Sequence, residues 1–303
     1  MMARVAAIDV GTNSVKVSVA DVTAESGVTI VREDAELTRL GKGVDETKVL
    51  SDDAMARTLA AIKRFADGAT ADGAGKIVIV GTSALRDAGN GQAFIDAVHE
   101  ATGIGLEIIA GEREAQLAYR AVRFDPSLGL PPDCAVAVFD IGGGSTEINI
   151  GTGSTLTTHE SLNIGAVRIT ERIIHSDPPT ASELADARKW ADEMLRRVPS
   201  PSGRLVAAGI GGTVVNIAGI VCEGKYDAHA AMIPADEIEG TLTRLASMSL
   251  AERKLLPGLE VARADVIVGG AIILAAVVTH LGVGGVRVSK RGLRYGILHE
   301  LGS

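Results

Sequence analysis

A chain of 303 residues is long enough for two domains of about 150 residues each, and with 46% hydrophobic but only 3% aromatic residues its cores must be built mostly of Ala, Val, Leu and Ile. Thirty Lys and Arg against 38 Asp and Glu leave a net charge of −8, which argues against a general nucleic-acid or membrane-surface binder and requires a local basic site for any anionic substrate. Two cysteines without C-x-x-C spacing, Cys134 and Cys222, fit a reducing compartment, and the opening MMARVAAIDVG lacks the features of a secretory signal, so a cytoplasmic location is expected.

In chain order, RVAAIDV (4–10) and VKVSVADV (15–22) predict two strands joined by a tight turn. SDDAMARTLAAIKRFA (51–66) predicts a helix: Ser51 is a good N-cap, acids fill the first turn, and Met55, Leu59, Ile62 and Phe65 recur on one face. A buried strand (76–84), a helix (91–102), a strand (106–111) and a helix (112–122) follow. The Pro-rich RFDPSLGLPPD (123–133) reads as a linker between an N-terminal domain, 1–124, and a C-terminal domain, 125–303. The second domain opens with AVAVFDI (135–141), a glycine turn and another strand. TASELADARKWADEMLRR (180–197) carries the Thr180/Glu183 capping box of a helix start. VIVGGAIILAAVVT (266–279) is too short for a membrane span and predicts a buried core helix. The alternation of β-branched runs with helical periodicity is that of an α/β protein.

The chain echoes itself. AAIDVGTNSVKVSVA (6–20) and VFDIGGGSTEINIGTG (138–153) share a strand, an Asp, an aliphatic residue, a Gly and small polar residues before another strand; the aspartates lie 131 residues apart (140 − 9). A third small-residue turn lies in AGIGGTVVNIAGI (208–220). A matched pair of such units predicts a duplicated α/β domain with phosphate loops facing one another across a cleft. Turns rich in Gly, Ser and Thr present backbone N–H groups to anions. Gly11, Thr12, Asn13 and Ser14 would form one cradle and Gly142, Gly143, Gly144, Ser145 and Thr146 the other. Asp9, Asp140 and Glu147 would supply the hard oxygens that Mg²⁺ prefers; turn capping for Asp9 and an outward strand position for Glu147 are the plainer alternatives.

Arg86, in GTSALRDAGN, follows a buried strand, where its guanidinium could grip phosphate or merely decorate a helix. Glu112 and Glu114 fall in the first turn of a helix, where carboxylates often only complement the helix dipole; in a phosphate cleft Glu114 could be the base that activates water. There is no G-x-S-x-G elbow, no H-E-x-x-H and no P-loop. RVSKRGLRYG (287–296) is locally basic and reads either as a solvated helix face or as the mouth of a polyanion site.

Taken together, AAIDVGTNSVKV, RLGKGVDETKVLSDDA, VGTSALRDAGN, IAGEREAQLAYRAV, FDIGGGSTEI, SLNIGAVRITE, GIGGTVVNIAGI and VSKRGLRYGIL, in this order along nearly the whole chain, resemble the Ppx/GppA family of exopolyphosphatases and guanosine pentaphosphate phosphohydrolases. The resemblance implies two ribonuclease-H-like domains of the actin-like ATPase superfamily around a central cleft. It implies Glu114 as catalytic base, Asp140 and Glu147 at Mg²⁺, Arg86 on substrate phosphate, and the two glycine turns on phosphates. Arg113 departs from the family, which often has a second acid there. The chain also ends soon after GLRYGILHELGS, as in the short two-domain members. The expected activity is Mg²⁺-dependent release of orthophosphate from the end of inorganic polyphosphate. The alternatives are pppGpp hydrolysis to ppGpp and a polyphosphate/ADP phosphotransferase. No nucleic-acid polymer or membrane is expected as a partner, and a homodimer stands as an option.

Overall fold

The computed structural model describes residues 2–23, 27–199 and 203–302. The chain divides into two compact units: Met1–Ala121 together with Arg291–Ser303, and Val122–Lys290.

In the first unit, strands β1 (Ala3–Val10), β2 (Ser14–Thr23) and β3 (Gly27–Leu37) form an antiparallel meander. The short helix α1 (Val44–Thr47) and the long α2 (Asp52–Ala71) lead to β4 (Lys76–Gly81). Helices α3 (Ser83–Asp87) and α4 (Gly91–Thr102) then lead to β5 (Leu106–Ile108) and α5 (Gly111–Arg123). The sheet order is β3-β2-β1-β4-β5, with β4 and β5 parallel to β1. As the sequence predicts, α2 starts after Ser51, whose hydroxyl accepts from the Ala54 N–H at 3.4 Å, and it buries Ile62 and Phe65. The predicted strand 76–84 stops at Gly81, because the Thr82 carbonyl accepts from the N–H groups of Leu85 and Arg86, both at 3.1 Å, and turns the chain into α3.

The second unit repeats the plan. Strands β6 (Ala135–Ile141), β7 (Thr146–Thr152) and β8 (Thr155–Leu162) form the meander. They are followed by α6 (Ala166–Arg172), α7 (Ala181–Leu195), β9 (Leu205–Ile210), α8 (Gly211–Val221), β10 (Met232–Pro234), α9 (Ala235–Ala246), α10 (Leu250–Arg253), α11 (Ile267–Leu281) and β11 (Gly285–Val288). The order β8-β7-β6-β9-β11 reproduces that of the first sheet, with β10 added at the edge. The apolar stretch at 266–279 is α11, buried along nearly its whole length among α6, α7, α8 and α9. Among the described residues no helix is long and apolar enough to cross a membrane. The Thr180/Glu183 capping box forms at the start of α7.

The C-terminal segment belongs to the first unit. Helix α12 (Leu293–Gly302) packs on the first unit, where Leu293, Ile297 and Leu298 share a core with Val5, Ala7 and Ala20. Its Gly296 rests so closely on the Leu117 carbonyl that a Cβ would come within 2.5 Å of the oxygen.

Candidate functional site

Strands β1, β4 and β5 run parallel and end level with one another, Val10 beside Gly81 and Gly81 beside Ile108. The carboxyl ends of parallel strands are where α/β sheets hold ligands, because the chain turns away there and leaves backbone groups exposed. The three segments that leave these ends carry the first unit's candidates: the 11–14 turn, Ser83–Arg86, and Glu112–Glu114. Arg86 Nη1 donates to Glu114 Oε2 at 2.8 Å and to the Ile109 carbonyl at 2.9 Å. Thr12 Oγ1 and Ser83 Oγ lie 3.0 Å apart, tying the first turn to α3. Glu112, by contrast, is exposed, while the Glu114 side chain is only 14% exposed.

The two glycine turns share a construction. Gly11 N–H donates to the Ser14 carbonyl and Gly142 N–H to that of Ser145, both at 3.0 Å. In each unit the segment after the third strand folds back onto the turn. The Thr12 carbonyl accepts from Gly41 N–H at 2.9 Å, and the Asn13 carbonyl from Thr38 and Arg39 at 3.1 and 3.0 Å. In the second unit the Gly142 carbonyl accepts from Ala166 at 2.9 Å and the Gly143 carbonyl from Val167 at 3.0 Å, while Arg168 Nε donates to the Gly144 carbonyl. Carbonyls held from behind keep the peptide planes of a turn oriented, which is what an anion cradle needs. The close fit explains two glycines to which the sequence reading assigned no role. A Cβ on Gly41 would meet Thr12 Cγ2 at 2.3 Å, and one on Gly165 would meet the Gly143 carbonyl at 2.3 Å. The signal was present, since Gly41 and Gly165 each follow the third strand of a repeat, but only the backbone contacts give it meaning. Arg168 is likewise buried against the turn and was not singled out from sequence.

Asp140 and Glu147 are direct partners in the β6–β7 ladder, so both side chains project from the same face of the sheet. Glu147 is 3% exposed and accepts from Ser161 Oγ at 3.2 Å, while Thr146 Oγ1 donates to the Ile164 carbonyl at 2.7 Å. Asp140 lies against the start of α8: a Cβ on Gly211 would sit 2.1 Å from Asp140 Oδ1, and Gly211 has φ +84°. The third small-residue turn therefore makes room for this carboxylate. In the first unit Asp9 occupies the equivalent place on β1, with Lys16 as its ladder partner. Burial raises the Asp9 carboxyl above its ordinary value against the opposing pull of Lys16 and Arg294. Its Oδ1 is buried with no hydrogen-bond partner.

These groups suit Mg²⁺, which takes few protein carboxylates and completes its shell with water and substrate phosphate. The orphaned Asp9 oxygen and the paired Asp140 and Glu147 are donors of that kind. Among the described residues, no three or more His, Cys, Asp and Glu side chains come together where they could hold a metal ion.

The basic C-terminal run has partners within the protein. Lys290 Nζ pairs with Asp227 at 2.6 Å, Arg294 Nη1 donates to the Val17 carbonyl at 2.7 Å, and Arg291 stacks on Tyr295. Arg113, the departure noted in the sequence, forms an ion pair with Glu300 of α12.

Residues 18–302 match the model of the Ppx/GppA phosphatase family. Exopolyphosphatase 2 of Mycobacterium tuberculosis is 36% identical over 321 aligned positions that cover 99% of both chains. Among solved structures, an exopolyphosphatase-like protein superposes with a TM-score of 0.91 at 30% identity, covering 99% of this chain and 98% of that one. The Aquifex aeolicus Ppx/GppA family member superposes with a TM-score of 0.83 at 30% identity and the same coverage. Both α/β units are thus of the ribonuclease-H-like, actin-like ATPase type. By its whole-length match and its duplicated fold, the chain belongs to the Ppx/GppA phosphatase family.

Proposed function

We propose that this protein is an exopolyphosphatase that removes the terminal phosphate of inorganic polyphosphate with Mg²⁺ as cofactor. The observation that carries the substrate is the match, over 99% of both chains, to a relative named Exopolyphosphatase 2. The geometry supports the chemistry: a partly buried carboxylate held by an arginine, beside a turn of backbone donors at the ends of three parallel strands.

In this reading the N–H groups of the 11–14 and 142–146 turns bind phosphate oxygens, except those of Gly11 and Gly142, which bond within the turns. Arg86 offsets their charge, and Glu114 orients a water on the terminal phosphorus. The water oxygen forms a bond to phosphorus, the bond to the bridging oxygen breaks, and Glu114 takes the water's proton. The products are orthophosphate and a chain one unit shorter. Asp140 and Glu147 of the second unit, and Asp9 of the first, are the carboxylates that would hold Mg²⁺, whose charge would offset that of the phosphates. The test is orthophosphate release from polyphosphate, pppGpp and ATP under the same conditions with Mg²⁺. Release from polyphosphate at a kcat/KM at least about tenfold above the others supports the reading, because tenfold is about 1.4 kcal/mol of transition-state preference. A preference for pppGpp replaces it.

A further inference from the structure

We propose that Arg86 is a positioning residue that ties the presence of phosphate to the orientation of the Glu114 carboxylate. The proposal rests on the reading of Glu114 as the base. Both hydrogen bonds of the Arg86 side chain leave from one nitrogen, Nη1, which spends its two N–H groups on the Ile109 carbonyl and on Glu114 Oε2. Among the described residues, Nε and Nη2 make no hydrogen bond to the protein, and neither is a buried orphan. With 22% of the side chain exposed, that second edge faces solvent beside the strand ends.

A guanidinium is planar, so its two edges turn together, and the Nε/Nη2 edge matches two oxygens of one phosphate. The Ile109 carbonyl, at the end of β5, supplies a fixed anchor. Phosphate seated on the outer edge therefore steadies the plane whose inner edge holds Glu114. The same cation stands between a carboxylate and a polyanion that would otherwise repel each other. A lysine keeps the charge, but its single ammonium cannot present two fixed edges. An arginine that only bound phosphate would need no bond to the base.

The test is a double-mutant cycle of Arg86→Lys and Glu114→Gln, read as steady-state orthophosphate release from polyphosphate with Mg²⁺. Melting temperatures of all four proteins confirm folding, and Arg86→Gln runs the same cycle if the lysine variant does not fold. With Glu114 present, Arg86→Lys is expected to lower kcat about 10–100-fold, the scale of a misplaced catalytic group. In the Glu114→Gln background the same change is expected to lower kcat by no more than about threefold, because the group it positions is gone. KM is expected to rise by the same factor in both backgrounds, since the phosphate edge is lost in each. Equal loss of kcat in both backgrounds overturns the positioning role and leaves Glu114 as base. Near-normal turnover of the Glu114→Gln single variant overturns the base and the positioning role together.

Discussion

Asp140 and Glu147 sit directly opposite one another in the β6–β7 ladder, seven residues apart in sequence and joined by the glycine turn between them. A hairpin this tight puts two carboxylates on one face, where a cation would relieve their mutual repulsion. Asp140→Asn should raise the Mg²⁺ concentration for half-maximal activity about tenfold, while Ser161→Ala, which removes only a donor to Glu147, should shift it far less. Activity titrated against Mg²⁺ checks this, and an unchanged midpoint in Asp140→Asn removes Asp140 from the metal site. Tenfold corresponds to about 1.4 kcal/mol, a modest value for one charged ligand among several.

Glu114→Gln keeps the shape and the contact to Arg86 but cannot take a proton. Turnover of polyphosphate should fall about 10²–10⁴-fold, the usual contribution of a general base. Glu112→Gln, on an exposed side chain two residues away on the helix, should stay within a few-fold of wild type. A larger loss at Glu112 would reverse the assignment.

Gly211 adopts φ +84° and leaves no room for a Cβ beside Asp140 Oδ1. Gly211→Ala should therefore both strain the turn and push the carboxylate aside. The expected result is a melting temperature lower by several degrees, the effect of roughly 1–3 kcal/mol, with a weakened Mg²⁺ response. Gly240→Ala, at an exposed position of α9 with nothing near its Cβ, is the control and should be neutral or mildly stabilising.

Asp9 Oδ1 is buried without a hydrogen-bond partner, and a buried carboxylate oxygen left in that state costs stability. Asp9→Asn should lose activity, yet its metal-free melting temperature should rise by about 2–4 °C, because a buried amide is less costly than a buried unpaired charge. Calorimetry in EDTA measures it, and a drop in melting temperature would mean that Asp9 is compensated without metal.

Glu183 accepts from the backbone N–H groups of Thr180, His175 and Ser176, which lower its pKa from the ordinary 4.5 to about 2. A depressed carboxyl pKa stabilises the fold above the unfolded value and loses that contribution as pH falls through the folded one. The difference in urea midpoint between wild type and Glu183→Ala should thus be full near pH 7 and shrink between pH 4.5 and about 2. A difference that grows on acidification would contradict the cap's ionic character.

Much of this was legible in the sequence because it depends on near neighbours. Strand β1, the Ser51 cap, the capping box at Thr180 and the 131-residue repeat are set by residues within a turn or two of each other, so pattern alone locates them. Strand β3 was less visible. Its stretch GVTIVREDAEL lies at a sheet edge, where charged side chains are tolerated and alternation fades. The resemblance named Arg86 and Glu114, 28 residues apart, but their 2.8 Å bond exists only because β4 and β5 end side by side. The same holds for α12: the basic run 287–296 reads from sequence as a solvated helix face or the mouth of a polyanion site, and only the fold shows Leu293, Ile297 and Leu298 packed on the first sheet. What local order could determine was the repeat and its chemistry-bearing residues. Which of them touch, and which glycines must stay bare, was decided by long-range strand pairing, because the cost of closing those loops is met only by the assembled sheet.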